Sequence, residues 1–503
     1  MTKRSQAPLL ALPAAFDAHI GVRDRIYVAC LAAIRDGTLA AGHRLPSSRQ
    51  LAADWHVARN TVDDALAQLQ AEGMLVRRVG DGTFVAPGVV ARPATPRLRH
   101  RKLAAVGRRA LEAASTRGAA AARQFASTSI PRAAPFIAGM AALDAFPIGT
   151  WRRLSARRWR CDGAALLGYL PASGYPPLQS AIAGHLATAR GIRCLPEQVM
   201  IVNSAMQAVD MIARVLVERD DVAWIEDPCY PNLRAVLAMA GMRVVPITVD
   251  AEGLALDRIG AAARPPALIF VTPSCQYPTG VAMSLARRLA LLRVAERSRA
   301  WIVEDDHQVE FAWSGRPAAP VVSLDRGART LYAGTFSHTV FPSLRLAYVV
   351  LPHALVDVFH AVRRQLDDHT HGHLQAVLAD FIAGGHFSAH LRRMRTLYAA
   401  RRDALFDAFS RHALQHLAPA GPGCGMHATL DLPLHVGDTA AAASAARAGI
   451  RVQPLSRYSA GANKRNGLLI GYSALSERRI GDGVARLAHV LHSRLEPGRP
   501  RRA

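Results

Sequence analysis

From Phe136 onward the chain alternates short apolar runs of strand length with longer amphipathic stretches of helical period, and few folds accommodate that rhythm. Strand-like runs fall at 199–202, 222–225, 244–249, 267–271, 301–303, 331–333 and 347–351. Helical segments separate them, which predicts a three-layer α/β domain with a mostly parallel sheet and a small α+β subdomain from about residue 366. Within it, 330–350 (TLYAGTFSHTVFPSLRLAYVV) reads as a buried strand, a Gly-Thr-Phe-Ser turn, a polar position at His338, and an arginine, Arg345, inside a second apolar run.

At 503 residues, half of them hydrophobic, the chain can bury more than one core, and two domains are expected. The formal net charge of +24 favours a polyanionic partner, because clustered arginines release counterions on meeting phosphate. The competing explanation is an arginine- and alanine-rich composition, since lysine occurs only at Lys3, Lys102 and Lys464. The six cysteines are scattered, with no CxxC pair and no metal-ligand spacing, so reduced thiols, a cytoplasmic location and no structural metal are expected. No apolar run reaches membrane-spanning length.

Residues 17–87 form the first unit. Tyr27, Cys30, Leu31 and Ile34 are spaced as one face of a helix that Gly37 and Gly42 end. Ser47 and Gln50 stand in capping-box spacing and start a second helix reaching Trp55. A tight turn at 56–58 leads to a third helix with the stripe Val62, Ala65, Leu66, Leu69. A hairpin follows, with Gly80-Asp81-Gly82 as its turn. Residues 88–130 are rich in arginine with Glu112 as the only acid, and read as a basic linker that either touches DNA without sequence preference or is a solvated tether. The tail 494–503 is basic and expected to be disordered.

The order helix, helix-turn-helix, hairpin, with RLPSSRQLA, ARNTV, LQAEG and GDGTFVA, closely resembles the GntR-type winged helix. The resemblance implies double-stranded DNA as partner. Arg49 would hold phosphate or a groove edge, Arg59, Asn60 and Thr61 would face bases, and Gly80 and Gly82 would bring the wing backbone close. Ala58 stands where a serine is usual, and alanine is a poor helix N-cap, costing about 1 kcal/mol. Either DNA affinity is weakened or Asn60 shifts the cap.

Residues 131–493 resemble the aminotransferase-like half of the MocR group of GntR-type regulators, a fold-type I pyridoxal phosphate (PLP) domain. The resemblance is carried by LGYLPASGYPPLQSAIAGHL, EDPCYPNLRAVL, TPSCQYPTGVAMSLARR, WIVEDDHQVEF, GTFSHTVFPSLRLAY and LLIGYSAL. It implies that Asp305 pairs with the pyridine nitrogen of PLP, that Ser337 and Arg345 bind its phosphate, and that Ser204 and Ala205 open a helix whose free N–H groups suit the same anion. Tyr230 would lie near the cofactor, and Tyr169 would reach a partner subunit's phosphate in a head-to-tail homodimer.

The departures from the family wording lie close to the reacting carbon. His338 stands where the lysine is usual, and an imidazole has no primary amine with which to bond the PLP aldehyde covalently. His307 stands in place of a tyrosine, Met206 of a glutamine, Ser204 of a glycine and Cys275 of a histidine. Among the arginines, Arg457 and Arg465 are the alternatives for a substrate carboxylate, and Lys464 is the one lysine of the domain. His307 and His338 could hold PLP non-covalently, bind another anionic metabolite, titrate near neutral pH, or be simple hydrogen-bonded remnants. The expected function is a DNA-binding regulator that senses PLP or a small anionic metabolite, with no catalytic residue and no metal site. The rival readings are a PLP-dependent aminotransferase and a ligand-free dimerisation scaffold.

Overall fold

The computed structural model describes residues 21–78, 80–87, 115–116, 118, 135–259, 264–313, 318–417, 423–461 and 464–495. The linker 88–130 and the tail 494–503 lie almost wholly outside the described residues. The last helix, Glu477–Leu495, takes in the first two positions of that tail. The chain divides into two compact units, 1–105 and 106–503.

In the first unit the helices Val22–Arg35, Ser48–Asp54 and Arg59–Ala71 precede a two-stranded hairpin. Its strands β1 (Leu75–Arg78) and β2 (Gly82–Val85) pair antiparallel from Leu75 opposite Val85 to Arg78 opposite Gly82. The third helix buries the expected stripe, Val62, Ala65, Leu66 and Leu69. In the first helix the buried face is Ile26, Ala29, Cys30, Ala33 and Ile34, while Tyr27 and Leu31 are only half-buried. That face lies rotated from the one the larger side chains suggested, because small alanines allow close approach to the third helix. The Ser47 hydroxyl accepts from the Gln50 backbone N–H at 3.2 Å, the expected cap. Ala58 caps the third helix with extended backbone and no side-chain bond, so Asn60 does not shift the cap.

The second unit holds an eight-stranded sheet. Its strands are β3 (Val199–Val202), β4 (Val222–Asp227), β5 (Arg243–Asp250), β6 (Gly253–Leu254), β7 (Leu268–Val271), β8 (Trp301–Asp305), β9 (Thr330–Thr335) and β10 (Ala347–Val350). The order is β3-β10-β9-β8-β7-β4-β5-β6, with β10 antiparallel to both its neighbours, β6 antiparallel to β5, and the other pairings parallel. All seven expected strands are present. β3, β7 and β10 are buried at every position because helices cover both faces, as a mostly parallel sheet requires. A three-stranded sheet, β11 (His427–Asp431), β12 (Gln453–Pro454) and β13 (Gly467–Gly471), forms the small layer with the helices His386–Arg411 and Glu477–Leu495. The helix before it, Gly372–Ala383, packs on helices Ile148–Leu166 and Pro176–Arg190 of the large layer. Among the described residues, no helix is long and apolar enough to cross a membrane.

The expectation of six reduced thiols is corrected. Cys275 and Cys424 form a disulfide across 149 residues, joining the loop after β7 to the segment before β11. Sequence spacing could not show it, because the pairing depends on how the small layer folds back onto the large one. Cys30, Cys161, Cys194 and Cys229 are free.

Candidate functional site

Parallel strands expose the N-termini of the following helices and the loops between them at their carboxyl ends, so ligands bind there. Here the ends of β3, β4, β7, β8 and β9 supply Ser204, Glu226, Thr272, Asp305 and Thr335 to one cavity of about 310 Å³. Eight of the nine expected cofactor residues line it: Ser204, Ala205, Tyr230, Asp305, His307, Ser337, His338 and Arg345. Tyr169 does not. Its ring is 90% exposed and packs edge-on to His369 beside a separate hollow that includes Arg364 and Asp368.

One end of the cavity suits an anion. Ser204 is the N-cap of the helix Ala205–Leu216, and its hydroxyl accepts from the Gln207 N–H at 3.1 Å. That helix points its positive end at the cavity. Arg345 adds a full charge and has no carboxylate partner among the described residues. Its backbone is left-handed, φ 52°, an uncommon conformation for a residue with a side chain, held by the neighbouring strand β10 and the short Pro342–Leu344 turn.

The cavity is also lined by Asp305, whose neighbour Asp306 lies outside it, and the two adjacent carboxylates have different fates. Asp306 has its counter-charge: Arg190 reaches its Oδ2 at 2.6 Å, and the Tyr332 hydroxyl donates to the same oxygen at 2.9 Å. Asp305 has none, and its Oδ1 is buried without a hydrogen-bond partner. Burial first, and the Asp306 charge second, push its carboxyl up to about 7. His307 Nδ1 lies 3.8 Å from Asp305 Oδ2, but burial pushes that imidazole down to about 4, so the contact is not an ion pair at neutral pH. His338 faces His307 with ring centroids 5.8 Å apart, and burial followed by that neighbour pushes it down to about 4 as well. Of the alternatives open for the two histidines, titration near neutral pH is the one burial disfavours, because desolvation opposes both imidazolium ions.

Residues that sequence reasoning passed over complete the wall. Glu226, buried and pushed up to about 7 chiefly by desolvation, accepts from the Thr272 N–H at 3.1 Å. Tyr277 stacks edge-on to Tyr230, His307 and His427. Glu226 lies at the carboxyl end of β4 and Tyr277 in the turn after β7, inside EDPCYP and QYPTG, and that position was the available signal. Lys464 is exposed and outside the cavity, and among the described residues no lysine lines it. Arg465 is held by Asp431 at 3.0 Å, which removes it as a carboxylate ligand. The residues fit a phosphate-bearing pyridine at both ends: an unpaired cation and a helix N-terminus at one, an orphan carboxylate oxygen at the other.

In the first unit, Arg49, Arg59 and Asn60 are exposed and Thr61 half-buried, three of the four being at the start of the third helix. Arg59 Nε stands 3.4 Å from Asp63. Gly80 and Gly82 both have positive φ, and a Cβ at Gly82 would lie 2.9 Å from Arg44 Nε.

The family model for aminotransferase class I and II matches residues 147–475, and that for bacterial regulatory proteins of the gntR family matches 22–85. The probable rhizopine catabolism regulatory protein MocR of Rhizobium meliloti is 38% identical over 473 residues, 93% of each chain. The chain belongs to the MocR group of GntR-type regulators. The HTH-type transcriptional regulator TauR of Rhodobacter capsulatus is 33% identical, covering 91% of this chain and 94% of its own. Among solved structures, an archaeal alanine:glyoxylate aminotransferase superposes with a TM-score of 0.67 at 23% identity, covering 72% of this chain and 92% of its own, which shows the fold. This MocR-type chain is thus a DNA-binding transcription regulator built on a fold-type I aminotransferase scaffold.

Proposed function

We propose that the aminotransferase-like domain is a sensor that binds PLP or a related phosphorylated metabolite without a covalent bond, and that it dimerises head-to-tail. The observation that supports this most is the mismatch within one cavity. Arg345, Ser337 and the helix beginning at Ala205 keep a phosphate site, while His338 occupies the anchor position. PLP, when bound, would supply an electron sink. The protein's own contribution is then binding and orientation: Arg345 and Ser337 hold the anion, and Asp305 accepts from a ring N–H. No catalytic residue is assigned, and the missing lysine argues against amino-group transfer. Tyr169, projecting outward, would complete the phosphate site of a second copy.

In the DNA-reading unit, Arg49 would meet phosphate, Arg59, Asn60 and Thr61 would face base edges, and the Gly80–Gly82 wing would approach the backbone. A regulator of this kind works beside the chromosome, in the cytoplasm. Ligand in the cavity would alter how two winged helices meet two half-sites, a coupling that must be reciprocal in free energy. The test is anisotropy of a duplex selected from a random pool by the full-length protein, with and without PLP. A change in Kd of about fivefold or more is expected. Unchanged affinity and footprint would favour the scaffold reading.

A further inference from the structure

The hydrogen bonds around His338 fix more than the absence of an amine. Its Nδ1 lies 2.9 Å from the carbonyl oxygen of Gly139. A carbonyl only accepts, so Nδ1 carries the hydrogen. The ring is neutral at neutral pH, and Nε2 is therefore a bare lone pair. Nothing among the described residues donates to Nε2. The ring also packs closely on Gly139, whose φ is +76°, and a Cβ there would come within 3.2 Å of His338 Cε1.

Asp305 presents the same polarity. Its Oδ1 is an orphan, the residue is 9% exposed, and when ionised it too can only accept. The cavity is thus sorted by hydrogen-bond character. Donors and positive charge gather around Arg345, Ser204 and Ser337, while acceptors without donors gather around Asp305 and His338. A molecule that fits carries an anion at one end and donors at the other.

An aldehyde is a poor match for the second end. Its oxygen is an acceptor, and facing the His338 lone pair it would leave two acceptors unpaired in a buried place. An amine or ammonium on the same carbon donates to the His338 lone pair, while Asp305 accepts from the ring N–H in either form. We propose that His338 is a specificity-determining residue that makes the cavity prefer the amine form of the phosphorylated pyridine, pyridoxamine phosphate, over the aldehyde form. This rests on the sensor reading above and adds to it: the protein reports the aminated fraction of the vitamer pool.

The experiment is calorimetric titration of the full-length protein with pyridoxamine phosphate, with PLP and with inorganic phosphate. The unsubstituted protein is expected to bind the amine form roughly tenfold more tightly than the aldehyde form. His338→Ala should bring the two within about threefold by removing the lone pair. His338→Lys should reverse the order, and PLP should then give a borohydride-reducible mass adduct. Equal or tighter binding of PLP by the unsubstituted protein overturns the proposal while leaving the sensor reading intact. Binding of neither compound overturns both.

Discussion

The two ends of the cavity differ in what has been kept. At one end a helix N-terminus, a serine and an arginine without a carboxylate partner among the described residues line the cavity, a set that suits a phosphate. At the other end no lysine lines the cavity among the described residues, and burial raises the Asp305 carboxyl and disfavours charge on His307 and His338. Phosphate binding needs only fixed charge and N–H groups, whereas covalent chemistry needs one particular amine in one particular place. A domain used as a sensor can lose the second and keep the first.

The sharpest way to break this comparison is at Arg345. Charge-assisted hydrogen bonds contribute about 1.5–3 kcal/mol each, so Arg345→Ala should weaken PLP binding by roughly 10- to 100-fold in a calorimetric titration. Melting temperature should hardly move, since Arg345 has no ion pair among the described residues to lose. Undiminished binding would place the anion elsewhere.

Asp305 gives a smaller, pH-dependent effect. Its carboxyl sits near 7 in the folded protein, above its ordinary value of 3.8. Between those values the folded state holds a proton that the unfolded state has released, so stability falls as pH rises from about 4 to about 7 and then levels. Asp305→Asn removes that dependence. Without ligand the variant should melt within error of the parent at pH 4 and a few degrees higher at pH 8. Glu304 and Glu310, also pushed up to about 7 without Asp305 among the causes, are common to both proteins and cancel in the difference, whereas Glu226 loses the part of its upward shift that comes from the Asp305 charge. An equal difference at both pH values would show that Asp305 is not desolvated as described.

The smallest effect lies in the other unit, where the site is a surface and not a cavity. Ala58→Ser should supply the N-cap that the third helix lacks, stabilising the winged helix by about 1 kcal/mol in denaturant unfolding followed by Trp55 fluorescence. A neutral outcome would mean that water already satisfies those N–H groups.

Much of this was legible beforehand, for a physical reason. Strand runs and the stripe Val62, Ala65, Leu66, Leu69 follow from periodicity, and eight of the nine residues expected to meet a cofactor line one cavity because their motifs are fixed to strand ends or helix starts. What stayed hidden depends on tertiary contact. The Cys275–Cys424 bond and the tautomer of His338 arise from segments far apart in sequence, Gly139 and His338 among them. The buried face of the first helix was misjudged because size was weighed above closeness of packing.

The measurement that bears most directly on the central claim is a visible absorbance titration of the purified protein with PLP, followed by borohydride treatment and intact mass. The account predicts a saturable band shift with no reducible mass adduct. A stoichiometric adduct would contradict it, requiring a lysine such as Lys464 to reach a cavity from which the structure holds it apart.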